Sequence, residues 1–164
     1  MTHTEFVYTT YIKTTPEKVW NAITNPEFSR QYFGSELVSD WKKGSKWQSI
    51  SNDKDACKMV VGEIIESLPP KRLVMTWHHP EDEMDKSEHS RVTFEIETIE
   101  DMVRLNVIHD RLKAGSDMAR GIAVGWPLVL SCLKSLLETG KALNVRALKD
   151  HVRTNPAVKK AAAQ

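Results

Sequence analysis

Apolar and polar residues alternate with a period of two along much of the chain, which predicts β-strands. Residues 5–13 show the pattern first: aromatic and branched side chains point alternately to two faces. Further strands are expected at 45–50, 57–68, 72–79, 90–98 and 102–111. Since the last two alternate cleanly between apolar and polar positions, one face of an antiparallel sheet should be covered and the other exposed to water.

Two short helices are predicted directly after the first strand. Thr15 can cap a helix that begins at Pro16, because proline fits the first turn, where its missing N–H would be unpaired anyway. Asn25 and Pro26 repeat the same start signal. Gly34 should end the second helix.

Between about residues 116 and 143 the apolar period changes to three and four, which predicts one long helix. Its apolar stripe consists of Ile122, Trp126, Val129, Leu130, Leu133, Leu136 and Leu137. Pro127 either kinks this helix or begins its main segment, and Gly140 is a plausible end.

The order of elements predicts an α+β helix-grip fold, in which a curved antiparallel sheet of six or seven strands wraps around the long C-terminal helix. Residues 1–140 should form a single domain. Residues 141–164 should be a basic extension, partly helical or disordered. A sheet wrapped around a helix can enclose an apolar cavity, and small ligands bind in such cavities.

Composition and charge narrow the classes of function. Of the residues, 40% are hydrophobic, and we expect no membrane span and no secretory leader. Two cysteines fit a reducing compartment, so a cytoplasmic location is expected. The net charge of +1 divides into −4 over residues 1–140 and +5 over 141–164. An acidic body argues against nucleic-acid binding.

The C-terminal extension has two interpretations. Val145, Leu148 and Val152 follow a helical spacing, so the segment could form an amphipathic helix that docks on an acidic partner or a membrane surface. The alternative, which we favour, is a solvated extension.

Four runs of sequence resemble the START-like helix-grip superfamily (SRPBCC), and within it the branch named after the activator of the ninety-kDa heat-shock protein's ATPase. They are TTYIKTTPEKVWNAITNPEFSRQYFG at 9–34, GEIIESLPPKRLVMTW at 62–77, VTFEIE at 92–97 and GWPLVLSCLKSLLETG at 125–140. The resemblance implies a domain with an apolar cavity. Members of the superfamily bind lipids, polyketides or aromatic compounds, act as cyclases, or contact a chaperone, so fold does not decide function.

Motifs with a defined chemistry are missing from the sequence. It contains no GxGxxG, GxxxxGK[ST], HExxH, CxxC pair or GxSxG, so we expect no cofactor, no metal and no assigned catalytic residue. The acidic run at 81–88 is interpreted as a solvated loop in preference to a cation site.

Two histidines are the most interesting polar candidates. If Trp77 points inward, strand alternation predicts the same direction for His79, and by the same reasoning His109 follows Val107 inward. They could orient a ligand or transfer protons; alternatively, both are partly solvated residues at strand ends.

The aromatic residues complete the predicted site, because large rings both fill cores and stack on planar ligands. The predicted ligand-binding residues are Trp47, Trp77, His79, Phe94, His109, Trp126, Leu130 and Leu133. The alternative is that these side chains only fill the core.

These patterns favour binding of a small hydrophobic or aromatic ligand, with catalysis less expected. One alternative is an interaction module that associates with a chaperone or another protein, as in a stress response. The other is a cyclase or hydrolase that uses His79 and His109 as an acid–base pair in the same cavity. The oligomeric state stays open.

Overall fold

The helices and strands follow the predicted order. The protein is described by a computed structural model that covers residues 2–53 and 57–155, and within them lie seven strands and four α-helices. The strands are β1 (His3–Ile12), β2 (Ser35–Val38), β3 (Lys46–Ser51), β4 (Lys58–Leu68), β5 (Arg72–Trp77), β6 (Ser90–Ile99) and β7 (Met102–Lys113). The helices are α1 (Pro16–Thr24), α2 (Pro26–Tyr32), α3 (Asp117–Thr139) and α4 (Val145–Thr154).

All seven strands form one antiparallel sheet in the order β1-β7-β6-β5-β4-β3-β2. The first strand therefore pairs with the last, and β1 and β2 form the two edges. The helix-grip fold predicted from the sequence is confirmed. β2 is the strand that we did not predict, because its four residues are too few to show a period.

The short helices begin where the capping residues predict. Thr15 accepts a hydrogen bond from the backbone N–H of Lys18, and Asn25 accepts one from that of Glu27. Pro16 and Pro26 occupy the first turns. In chain order, both helices therefore lie between β1 and the remaining strands.

The long helix α3 packs its apolar stripe against the sheet. Ser116 caps it, and Gly140 ends it with a left-handed backbone, φ +81°. By length and composition alone α3 could cross a membrane, but the core helix of a soluble protein passes the same test. Here Trp126, Leu130 and Leu133 are buried in the core.

The last helix, α4, lies against the domain. Val145 and Leu148 pack against the core, and Nζ of Lys149 donates to the carbonyl of Phe33 at 2.8 Å. Residues 145–154 are therefore a docked helix, whereas we favoured a solvated extension. Residues 156–164 lie outside the described part, so their predicted disorder stays a prediction.

Candidate functional site

Six rings meet between the sheet and α3, and we call them the aromatic cluster. They are Phe33, Trp47, Trp77, Phe94, His109 and Trp126. Four come from strands β3, β5, β6 and β7, where alternation points them inward, and Trp126 comes from the facing side of α3. Phe33 follows α2. The structure thus brings most of the predicted site residues together.

Trp77 lies at the centre of the aromatic cluster. Its ring centroid is 5.1 Å from that of Trp47, 5.5 Å from that of His109 and 5.7 Å from that of Trp126. Its Nε1–H is buried and has no hydrogen-bond partner among the described residues. Because an unpaired buried donor loses its hydrogen bond to water without replacement, this N–H is poised to bind an acceptor.

The indole nitrogens of the two neighbouring tryptophans are occupied. Trp47 donates to the carbonyl of Thr76 at 2.8 Å, and Trp126 donates to Nδ1 of His109 at 3.1 Å. Among the three tryptophans of the aromatic cluster, only Trp77 therefore has an indole N–H without a hydrogen-bond partner among the described residues.

A chain of hydrogen bonds determines the tautomer of His109. An indole N–H can only donate, so Nδ1 of His109 must be the unprotonated acceptor of the bond from Trp126. The proton of the neutral ring is then on Nε2, which donates to Oγ of Ser90 at 2.8 Å. The hydroxyl of Ser90 in turn donates to the carbonyl of Trp77 at 2.7 Å.

Burial keeps the His109 ring neutral. Desolvation lowers the pKa of His109 to about 3, and the nearby carboxylate of Asp110 only partly opposes this effect. With Nε2 protonated and Nδ1 occupied, His109 cannot take a proton from Ser90. The two residues are close enough for a nucleophile–base pair, but their hydrogen bonds run in the wrong direction for one.

Leu130 and Leu133 follow Trp126 along the buried face of α3, and both are fully buried. They form part of the same core as the aromatic cluster. Their position agrees with the helical spacing in the sequence, and the structure shows them as apolar packing residues.

His79 does not lie in this interior, so the inward direction expected for it is wrong. Strand β5 ends at Trp77, and His79 is exposed beside Pro80, which begins a turn of 3-10 helix. β6 begins at Ser90, opposite Trp77, and Pro80 has no N–H for a further ladder bond, so the β5–β6 ladder ends before His79.

His79 instead lines an open pocket of about 350 Å³, together with Leu112 and Met118. This pocket lies where β7 ends and α3 begins. Ser90 also lines it and is bonded to His109, so the pocket adjoins one end of the aromatic cluster.

His78, which precedes His79 in the chain, is buried. Its Nε2 is 2.8 Å from a carboxylate oxygen of Glu83, and its ring stacks on that of His89 with centroids 3.6 Å apart. The hydrogen bond from Lys46 and, to a smaller extent, the one to His78 lower the pKa of Glu83 to about 2. Glu83 thus ties the acidic segment to the sheet, while Glu81 and residues 83–87 are exposed, as expected for a solvated loop.

A metal centre is not formed in the part of the chain that the structure describes. No group of three or more His, Cys, Asp or Glu side chains among residues 2–53 and 57–155 could hold an ion.

The family model "Activator of Hsp90 ATPase homolog 1-like protein" matches residues 13–138. The chain belongs to this family. The resemblance drawn from the four sequence runs is confirmed, and the match extends from the residue after β1 to the last turn of α3, including every residue of the aromatic cluster. Among curated proteins none matches the chain.

Solved structures share the fold of this member of the activator-homologue family. CalU16 from Micromonospora echinospora in solution has a TM-score of 0.72 at 19% identity, with 97% of this chain and 82% of that chain covered. The Aha1 dimer from Colwellia psychrerythraea has a TM-score of 0.70 at 21% identity, with 85% and 99% covered. These likenesses in structure extend over most of each chain and show a shared fold.

Two residues of the candidate site could not be predicted from the sequence. Phe33 precedes the helix-ending Gly34, and nothing in the local pattern shows that its ring reaches Trp77 and Trp126. Ser90 is paired with Trp77 across β5 and β6, a register that one strand alone does not reveal.

Proposed function

We propose that the protein binds a small aromatic or otherwise apolar molecule that carries a hydrogen-bond acceptor. The site is the aromatic cluster between the sheet and α3. The observation that carries the proposal is the unpartnered, buried N–H of Trp77 at the centre of the rings. A carbonyl or ether oxygen on the ligand would satisfy this donor.

The apolar surroundings would supply most of the affinity. Burying about 200 Å² of ligand surface contributes roughly 5 kcal/mol before the costs of association, at ~25 cal/mol per Å². Rings at edge-to-face angles, such as Phe94 against Trp126 at 82°, suit a planar guest.

Binding is better supported than acid–base catalysis. The candidate pair for a cyclase or hydrolase was His79 and His109, and these residues do not converge: His79 is exposed, while His109 is buried and neutral with both nitrogens engaged. His109 would instead hold the indole of Trp126 in one orientation against the ligand.

The location that we propose is cytoplasmic. Cys57 is exposed and Cys132 is buried, and both are free thiols in the structure. Unpaired thiols suit a reducing compartment.

Self-association is a second candidate function. One structural relative is a dimer, and in this chain Val7 and Tyr11 are each 51% exposed on the edge strand β1. An apolar patch at a sheet edge is a surface that a second copy could cover. Association with a chaperone rests on the family name and has no assigned residues.

A matched pair of probes tests the ligand proposal. 2-Acetylnaphthalene carries an acceptor oxygen and 2-ethylnaphthalene does not, while their apolar surfaces are similar. We expect the ketone to quench tryptophan emission and to bind about five- to tenfold more tightly, since one added hydrogen bond contributes about 1 kcal/mol.

Substitution then assigns the preference to one indole. Trp77→Phe keeps a ring but removes the donor, so the preference for the ketone should disappear. Trp41→Phe is the control, because Trp41 also has a buried N–H without a partner among the described residues but lies outside the aromatic cluster. No binding of either probe, or a preference that survives in Trp77→Phe, would overturn the proposal.

A further inference from the structure

Phe33 is the one ring of the aromatic cluster that is carried by neither the sheet nor α3. It follows α2 directly, and its side chain is half-buried. Its ring centroid lies 5.9 Å from that of Trp126, edge-on at 78°, and 6.1 Å from that of Trp77. Phe33 thus covers the two tryptophans from the side of α2.

The backbone of Phe33 is held by the C-terminal helix. Nζ of Lys149 donates to the Phe33 carbonyl at 2.8 Å. Desolvation lowers the pKa of Lys149, although the residue as a whole is exposed. α4 also contributes two apolar side chains, those of Val145 and Leu148, which pack against the core.

Gly34 leaves room for the tip of the Lys149 side chain. Its φ of +82° turns the chain sharply after Phe33, and a Cβ at this position would lie only 2.9 Å from Nζ of Lys149 and 3.7 Å from Val145. The absence of a side chain lets the ammonium group reach the Phe33 carbonyl.

We infer that Phe33 is the gate of the proposed ligand site and that α4, through Lys149, holds the gate closed. The inference rests on the proposed function, because it concerns access to the same aromatic cluster. A ligand that passes the Phe33 ring must move the adjoining backbone, and this movement breaks the bond from Lys149 until the ring closes again behind the ligand. α4 therefore sets the rate of access, and Lys149 is a positioning residue that does not touch the ligand.

The kinetic test uses the full chain with 2-acetylnaphthalene, followed by tryptophan quenching in stopped flow. Lys149→Met keeps an unbranched apolar side chain and removes the donor. Association and dissociation should both become about five- to tenfold faster, while the dissociation constant stays within about twofold, since the lost bond closes the gate and makes no ligand contact. Lys149→Arg should restore slow exchange, because a guanidinium can donate to the same carbonyl.

Arg146→Met is the matched control. Arg146 is an exposed cation on the same helix, and the structure gives it no hydrogen bond among the described residues. Its removal should leave both rates unchanged. Equal rates in the wild type and Lys149→Met, or a dissociation constant that rises while association stays constant, would overturn the gate.

A second measurement separates the gate from the ligand proposal. In protein labelled with 5-fluorotryptophan, the H₂O/D₂O shift of each ¹⁹F signal reports solvent exposure without any ligand. Lys149→Met should raise this shift at Trp126 and Trp77 and leave it unchanged at Trp20. If the signals move but the naphthalenes do not bind, the gate stands and the ligand proposal fails; if the signals do not move, the gate fails.

Discussion

The indole of Trp47 lies directly across Gly62. The two residues are paired in neighbouring strands, and the Trp47 N–H passes over Gly62 to reach the carbonyl of Thr76 at 2.8 Å. A Cβ on residue 62 would overlap both that carbonyl oxygen and the indole nitrogen. The glycine that interrupts β4 in the sequence is therefore the position where a neighbouring ring and backbone approach most closely.

Gly62→Ala should destabilise the protein. Because the overlap involves backbone as well as a buried ring, the sheet or Trp47 must shift, and we expect a loss of about 1–3 kcal/mol or more in the free energy of unfolding, measured in urea. Gly121→Ala is the control: a Cβ there meets nothing within 4 Å, and the exchange should stabilise α3 by up to about 1 kcal/mol. Similar effects of the two changes would contradict this packing.

The stability of the protein should depend on pH through His109. The pKa of His109 is lowered from 6.5 to about 3 in the folded state, so between these values the unfolded chain binds a proton that the folded chain does not. Stability should therefore fall as the pH drops below about 6.5, by about 1.4 kcal/mol per pH unit from this residue, down to about pH 3.

The contribution of His109 is best measured between about pH 4.5 and 6.5, because this range lies above the ordinary pKa values of carboxylates. There the slope of unfolding free energy against pH should decrease in His109→Gln. The Cε1–H signal of His109 in NMR should not titrate above pH 4, and a midpoint near 6.5 would contradict the buried, neutral ring.

Ser90→Ala should leave the buried Nε2–H of His109 without its partner and remove the side-chain hydrogen bond to the carbonyl of Trp77. The Nε2–H of His109 and the carbonyl of Trp77 both bond to this hydroxyl, and an unsatisfied buried group costs about 1–3 kcal/mol. Ser131→Ala, which removes an exposed hydroxyl from α3, should change stability by less than about 0.5 kcal/mol.

Long-range ¹H–¹⁵N spectra check the tautomer itself. In the wild type we expect Nε2 of His109 to be protonated and Nδ1 to be unprotonated, because Trp126 donates to Nδ1. The opposite tautomer would remove the basis for excluding a Ser90–His109 nucleophile pair.

The edge strand β1 is partly blocked by side chains of α3. Lys134 donates to the carbonyl of Tyr11, and Glu138 accepts from the N–H of Lys13 at 3.4 Å. The double change Lys134→Ala/Glu138→Ala frees both backbone groups, so we expect a larger weight-average mass in light scattering after size exclusion. Lys141→Ala, at an exposed cation beyond Gly140, should leave the mass unchanged; an unaltered mass in the double variant would mean that the edge needs no protection.

Much of the fold could be predicted because its signals are local. Thr15 and Asn25 cap their helices, Gly140 ends α3, and the alternation around Phe94 and Val107 shows which side chains face inward. Prediction failed where the local signal ended or was too short. At His79 the alternation continued in the sequence, but the strand stopped before Pro80; β2 had too few residues to show a period.

The sequence by itself determined the order of the first three helices and of every strand except β2, the helix-grip architecture and most members of the aromatic cluster, because periodicity and capping act within a few residues. Only the tertiary structure decided that the Trp77 N–H has no partner among the described residues while that of Trp126 holds His109 in one tautomer. It also decided that α4 docks on Phe33. These features depend on strand register and on contacts between residues far apart in the chain, and side-chain periodicity contains no information about either.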